Sequence, residues 1–306
     1  MKHKLSIIFL LSILQITPLF AWNATGHRLI AQIAYNNMTP HAQQLFNQYN
    51  RAMDKIYKPQ SFIDAAVWLD TLRYQGISWF TTMHYVDLPF TNDGTPLPPL
   101  QEINALWAIE KSTGLLLNKY ATNFDKGTAF RVILHVAGDL HQPLHAATHV
   151  SAELPSGDRG GNLVPITGTS IAKNLHAYWD NGAGSLLIKS HQDKLLQATK
   201  RVASIESRWS CQVTKADTNP EHWADESHAL AINSAYKELP TDNVPDKKYQ
   251  NLVQKISERQ IALAGCRIAA LLNQIDENLT KKLLRSNLSK QTRRPSVSIN
   301  PVFGQV

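Results

Sequence analysis

The stretch that most constrains this chain is FRVILHVAGDLHQPLH, residues 130–145. Val132, Leu134, Val136 and Ala137 predict a buried helix, which must end before Pro143. The same helix carries His135 and Asp139 one turn apart, so both project from one face. A charged carboxylate inside an apolar segment is costly unless it is paired or bound to a cation. A fold that buries this helix must bring compensating groups to Asp139 from elsewhere in the chain.

The rest of the body also reads as helical. Leu29, Ile30, Ile33 and Ala34 mark one apolar face; Phe62, Ala66 and Leu69 mark another; Ile103, Leu106, Trp107 and Glu110 mark a third segment. Residues 185–208 and 246–280 predict two further helices. Strand signals are few: 79–87 and 162–168 could be extended, and 88–100 and 151–161 are Pro- and Gly-rich loops. No internal repeat is evident. The expected fold class is mainly α, a single domain with little β.

Charge is unevenly spread. Of the 31 lysines and arginines, two precede residue 22 and six follow residue 280, which leaves 23 against 24 acids in the body. The net charge of +7 therefore belongs to the two ends, and the body offers no basic surface of the kind that dominates nucleic-acid binders. Residues 281–306 read as a basic, disordered tail. Residues 1–21 have a basic start, an apolar run from Leu5 to Leu14 and Ala21 at the end, which predicts a cleaved secretory signal rather than a membrane span. The expected location is secreted or periplasmic. Cys211 and Cys266 would then meet an oxidising compartment, as one disulfide or as two separately buried thiols.

Cleavage after Ala21 would give a chain that starts at Trp22, five residues before His27. Its free α-amine, with a reference pKa of roughly 7.7–8.0, yields a proton to a metal at small cost. Other candidate ligands recur at helical spacing. His176 and Asp180 repeat the His135–Asp139 pattern, His145 follows the helix-ending Pro143, and Asp70 and His84 sit in apolar surroundings. A lone pair of this kind is usually a surface ion pair or a satisfied buried histidine. Two such pairs, with an isolated buried Asp and a displaced His, point instead to a catalytic metal site. Imidazole and carboxylate donors without cysteine suit Zn²⁺ and argue against a zinc finger.

The ordered set WNATGH, AVWLDTLR, MHYVD, HVAGDLHQPLH, GDRGGN and NLHAYWD resembles the zinc-dependent single-strand nuclease and 3′-nucleotidase family, the class I nucleases of fungi, plants and bacteria. WADES (223–227) and LAGCRIAALLN (263–273) extend the likeness over roughly residues 22–272. It implies a helical fold shared with zinc phospholipase C, a catalytic domain over 22–280, and three Zn²⁺ ions. By matching motifs, one ion would take Asp70, His84, His135 and Asp139. A second would take His145, His176 and Asp180. The third would take the amine and carbonyl of Trp22, His27 and the other oxygen of Asp139.

The resemblance further implies hydrolysis of single-stranded DNA and RNA, and of 3′-nucleotides, to leave 5′-phosphate products. Water would be activated between the metals that share Asp139, with Asp70 orienting it. Arg73, one turn beyond Asp70, would hold a phosphoryl oxygen through its planar fork. Tyr85 would stack a base and Asp87 bond its edge, while Gly161 and Asn162 of GDRGGN would contact substrate. The alternatives are ordinary packing for Tyr85, a loop cap for Asp87, a surface ion pair for Arg73 and a turn for the glycines. A monomer without an obligate protein partner is expected.

Two rival readings follow from the same residues. Zinc phospholipase C shares the fold and the metal logic; the WxxxGH start and GDRGGN speak for the nuclease branch. A zinc-sequestering protein acting through its basic tail would need neither Arg73 nor a base-sized aromatic.

Overall fold

The computed structural model describes residues 22–187, 194–212 and 217–291. The expected signal segment, His191 and the tail beyond 291 lie outside the described residues.

Asn23 starts the first helix, α1 (Ala24–Asn37), by accepting from the amides of Thr25 and Gly26. Leu29, Ile30, Ile33 and Ala34 are all buried, the face that their spacing predicts. Next comes α2 (Pro40–Ala52), with Thr39 as its cap. The single helix expected through Phe62, Ala66 and Leu69 is in fact two short ones, α3 (Phe62–Ala65) and α4 (Trp68–Tyr74). They part at Val67, whose φ of −104° and ψ of 7° are not helical. At this break the Ala66 carbonyl accepts from His135 Nδ1 at 2.6 Å, a contact that ties the break to the centre of the molecule.

Residues 79–87, expected to be extended, instead form a 3₁₀ turn at Thr81–His84 before the chain straightens at Tyr85. Strand β1 (Pro89–Thr91) follows, inside a segment expected to be all loop. In α5 (Ala105–Leu117) the buried stripe is Ala105, Ala108, Ile109, Ser112 and Leu116. Ile103 and Glu110 are exposed. Asn104 caps the helix, so Ile103 precedes it and the buried stripe lies two positions along from the sequence expectation.

Helix α6 (Asn123–Asp139) is the axis of the fold. A reciprocal capping box between Thr122 and Asp125 starts it, and every residue from Ile133 to Asp139 is buried. It packs against α2, α4 and α5. After it come a 3₁₀ turn at Pro143–His145 and strand β2 (Thr148–Val150), which pairs in parallel with β1 in the register Phe90 to His149. Residues 162–168 contribute only an isolated bridge between Pro165 and Asn174.

Helix α7 (Leu175–Asp180), capped by Asn174, precedes α8 (Lys194–Arg208) and α9 (Pro220–Leu230). A π-helical turn, Ala231–Tyr236, continues α9, and α10 (Lys247–Gln291) runs past residue 280. The long helix lies directly on α1. A Cβ at Gly265 would come within 2.5 Å of Ile33, so glycine there permits the contact. Beside it, Cys211 and Cys266 form a disulfide with Cα atoms 5.2 Å apart, resolving the two options that the sequence left open.

Two apolar clusters result. The larger joins α1, α2, α5, α6 and α10, and the smaller lies beneath residues 144–183 and includes Phe90, Leu144, Leu175, Trp179 and Tyr249. Trp68 and Trp179 are core residues as expected, whereas Trp107 is only partly buried. No helix among the described residues is long and apolar enough to cross a membrane.

Candidate metal centre

The charged residues predicted from sequence meet where the two apolar clusters join. His27 comes from α1, Asp70 from α4, His84 from its 3₁₀ turn, and His135 and Asp139 from the end of α6. His145 comes from the turn beyond Pro143, and His176 and Asp180 from one face of α7. All eight are less than a tenth exposed. Their donor atoms form three groups: His27, His135 and Asp139; Asp70, His84 and His135; and His145, His176 and Asp180.

Asp139 is the hub. Its Oδ1 lies 3.2 Å from His27 Nε2, and its Oδ2 lies 3.0 Å from His84 Nδ1 and 3.3 Å from His135 Nε2. Asp70 Oδ1 is 3.7 Å from His135 Nε2. Trp22 is fully buried beside this group, its indole N–H donating to Gly138 O at 3.1 Å. The next amide, Asn23 N, donates to Asp180 O at 3.1 Å. Residues 22 and 23 are thus tied to both the α6 and the α7 ligands.

The donor set fits cations and is poorly explained without them. His145 Nδ1 donates to His84 O and His176 Nδ1 to Gly160 O, each at 2.7 Å. Those bonds fix both rings with Nε2 turned inward. The two Nε2 atoms then lie 3.0 Å apart, and burial together with the charge of His176 pushes His145 down to about 3, which keeps its ring neutral as a ligand must be. Burial holds Asp180 well above the usual carboxylate range, against the Gln142 amide that donates to it at 2.6 Å.

Both nitrogens of His27, His84 Nε2, Asp70 Oδ1 and Asp139 Oδ1 make no well-aligned hydrogen bond although they are buried. Such groups each cost about 1–3 kcal/mol. At His135, burial favours the neutral ring, yet Asp139 and Asp70 overcome it and raise the group to about 9.

A cleft of about 210 Å³ opens on the histidine side, lined by His84, Tyr85, Asp87, Leu144, His145, Arg159 and His176. Asp70 and Asp180 border a second cavity, of about 290 Å³, together with Arg28 and Tyr74. Arg73 is half-buried; burial lowers its pKa, while the charges of Asp70, Tyr85 and Asp139 act to raise it. Its guanidinium therefore lies within electrostatic reach of the centre. Asp87 is pushed up to about 7 by burial and by the charge of Asp158.

The GDRGGN loop is shaped by left-handed glycines. Gly160 stands at φ 61°, and a Cβ there would meet Leu144 O at 2.2 Å. It is the Gly160 carbonyl that orients His176. Gly161, at φ 80°, packs on Leu175, and the Asn162 side chain donates to Arg159 O at 2.8 Å. Both residues shape the loop beside His176.

Three positioning groups escaped the sequence reading: Gln142, Arg159 and the pair Asp158–Tyr236. Gln142 donates to Asp180, and its side-chain oxygen accepts from Leu144 N at 2.6 Å. A glutamine just before the turn-forming Pro143 was the available signal. Of the histidines without an expected role, His141 accepts from Arg267 at 3.1 Å and donates to Ala137 O. His41 and His222 pair with Asp276 and Asp217, and His228 donates to Ala146 O. His149 stacks on Phe90.

Comparison with known proteins agrees with this geometry. The chain is 24% identical to Endonuclease 2 of Arabidopsis thaliana over 299 residues, covering 89% of this chain and 97% of the relative. It is 24% identical to Nuclease P1 of Penicillium citrinum over 279 residues, 83% of this chain and 97% of the relative. Nuclease S1 of Aspergillus oryzae is likewise 24% identical over 289 residues, covering 87% and 94%. A family model described as S1/P1 Nuclease matches residues 22–277. With its ligand groups gathered in one centre and that match spanning the helical body, the chain belongs to the S1/P1 nuclease family.

Proposed function

We propose that this protein is an exported, Zn²⁺-dependent nuclease that cuts single-stranded DNA and RNA to 5′-phosphate products and removes the phosphate from 3′-nucleotides. The observation that carries this reading is the convergence of His145, His176 and Asp180 donor atoms, with both imidazoles lining a cleft that also offers an aromatic face. Signal removal after Ala21 would release a body spanning 22–280, which acts as a monomer and carries 281–306 as a basic tail.

Three Zn²⁺ ions fit the donors, with Asp70, His84, His135 and Asp139 for one, His145, His176 and Asp180 for another, and Trp22, His27 and Asp139 for the third. When bound, they neutralise the phosphodiester and bring the pKa of water toward roughly 7. The chain's own groups do the rest. Asp70 orients the attacking water and accepts its proton. Arg73 holds a phosphoryl oxygen and strengthens that contact as charge gathers there. Tyr85 stacks the base of the nucleotide that supplies the 3′-oxygen, and Asp87 accepts from the base edge. Gly161 and Asn162 keep the loop beneath His176 in shape. Duplex ends poorly in such a cleft because its bases are already stacked.

The test is a four-substrate assay on protein processed to Trp22: single-stranded DNA, RNA, 3′-AMP and phosphatidylcholine, with metal analysis of the same preparation. Cleavage of the first three by protein holding three zinc ions is expected. Release from the lipid alone would overturn the reading in favour of a phospholipase. Arg73→Ala should lower kcat by roughly a hundredfold, the scale of one lost transition-state donor, with metal content unchanged.

A further inference from the structure

The loop that carries Arg159 is built with unusual care. Asp158 is fully buried, accepting from His149 N at 3.0 Å and from the Tyr236 hydroxyl at 2.8 Å. Arg159 N donates to Thr148 Oγ1 at 3.1 Å, and its carbonyl accepts from the Asn162 amide. Between these ties Arg159 is held at φ 59°, a left-handed conformation that glycine adopts freely and arginine does not. Its neighbours Gly157, Gly160 and Gly161 are also left-handed. An arginine kept where the backbone favours a fourth glycine points to use of its side chain.

That side chain is exposed and lines the 210 Å³ cleft together with Tyr85 and Asp87. Its charge reaches the Tyr85 hydroxyl, which burial and Asp87 raise and which Arg73 and Arg159 act to lower. The cleft therefore presents a stacking face, a carboxylate and a planar five-donor fork. Nothing in Asp87 can donate once it is ionised, and nothing in Arg159 can accept.

Resting on the nuclease reading above, we infer that Arg159 and Asp87 make this cleft a guanine subsite for the nucleotide whose 3′-oxygen departs. Guanine sets the O6 and N7 acceptors on one edge, which a guanidinium binds bidentately, and N–H donors at N1 and N2 on another, which a carboxylate accepts. Adenine would turn its N6 amino donor toward the fork, where two donors meet. Cytosine supplies an amino donor for Asp87 and ranks second. Uracil offers a single ring N–H and ranks with adenine.

Initial rates on 3′-GMP, 3′-AMP, 3′-CMP and 3′-UMP at pH 8, where Asp87 is ionised, test this on the zinc-loaded wild-type protein. We expect kcat/KM for 3′-GMP to exceed that for 3′-AMP by about tenfold, the scale of one good bidentate base contact. Arg159→Gly suits the left-handed backbone, so the loop survives while the fork is lost. In it the preference should shrink to within about threefold. Calorimetric binding of guanosine and adenosine gives a readout independent of turnover and should show the same preference and the same loss. Equal rates and equal binding for all bases in the wild type would overturn the inference, as would an equal drop on all four nucleotides in Arg159→Gly, which marks a mere phosphate contact. A wild type that binds guanosine over adenosine but cleaves neither nucleotides nor single-stranded DNA would support the subsite and sink the nuclease reading instead.

Discussion

Asp139 faces three histidines through two oxygens, so Asp139→Asn should do more harm to the metal centre than any other single ligand change. The substitution keeps shape and one carbonyl acceptor but turns an amide N–H₂ toward nitrogens that sit 3.0–3.3 Å away. Two of the three expected ions share this carboxylate. Each ion present at a hundred times its Kd adds about 2.7 kcal/mol to stability, so losing two removes roughly 5 kcal/mol. For a chain of this size that is about 10 °C in Tm. His27→Ala touches one site and should lose half as much. Calorimetry of wild type, Asp139→Asn and His27→Ala, with zinc and after chelation, measures these gaps, and atomic absorption counts the metal. The expected contents are three, one and two ions per chain. The gaps should nearly close on chelation. Asp139→Asn retaining three ions, or a gap of the same size without metal, would refute the shared-carboxylate reasoning and leave Asp139 as a purely structural residue.

Three other perturbations probe the scaffold and the cleft. Replacing Cys211 and Cys266 by serine opens a loop spanning 55 positions and should cost about 4 kcal/mol in urea unfolding, with the metal content of folded protein unchanged. Gly160→Ala forces a side chain to φ 61° and against Leu144 O; a stability loss of at least about 2 kcal/mol is expected, with selective loss of the ion at His145, His176 and Asp180. Retention of that ion would show that the Gly160 carbonyl is not what orients His176. Asp87 goes from 3.8 when unfolded to about 7 when folded, so its stabilising contribution is complete below about pH 4 and is lost as pH rises through 7. Asp87→Asn avoids that loss. In metal-free protein it should match wild type near pH 4 and exceed it by about 2–4 kcal/mol at pH 8, with the lower value reflecting solvent at the cleft mouth. A difference independent of pH would exclude an ionising Asp87 as its source.

Much of the centre was legible because local spacing alone puts His135 with Asp139 and His176 with Asp180 on one helical face. Apolar neighbours then mark those pairs as buried. The helical character followed from the 3.6-residue rhythm of segments such as Leu29 to Ala34. Errors fell where local pattern and tertiary packing compete. The break at Val67 has no glycine or proline to announce it, and there the Ala66 carbonyl accepts from His135, a contact between distant segments. The buried stripe of α5 runs two positions further along than Ile103, Leu106, Trp107 and Glu110 suggest, because the helix starts after the Asn104 cap.

Sequence by itself determined which residues could ligate and that they had to be buried, because a period of 3.6 and the cost of an unpaired charge act within a few residues. Only the tertiary structure decided which histidines share which carboxylate, that Asp139 stands between three of them, and that Arg159 looks into the cleft. Those facts depend on chain segments more than a hundred residues apart, such as Trp22 and Gly138, meeting at ångström precision. No local propensity encodes such a meeting; it comes from packing two apolar clusters against each other and from the bonds that tie their rims.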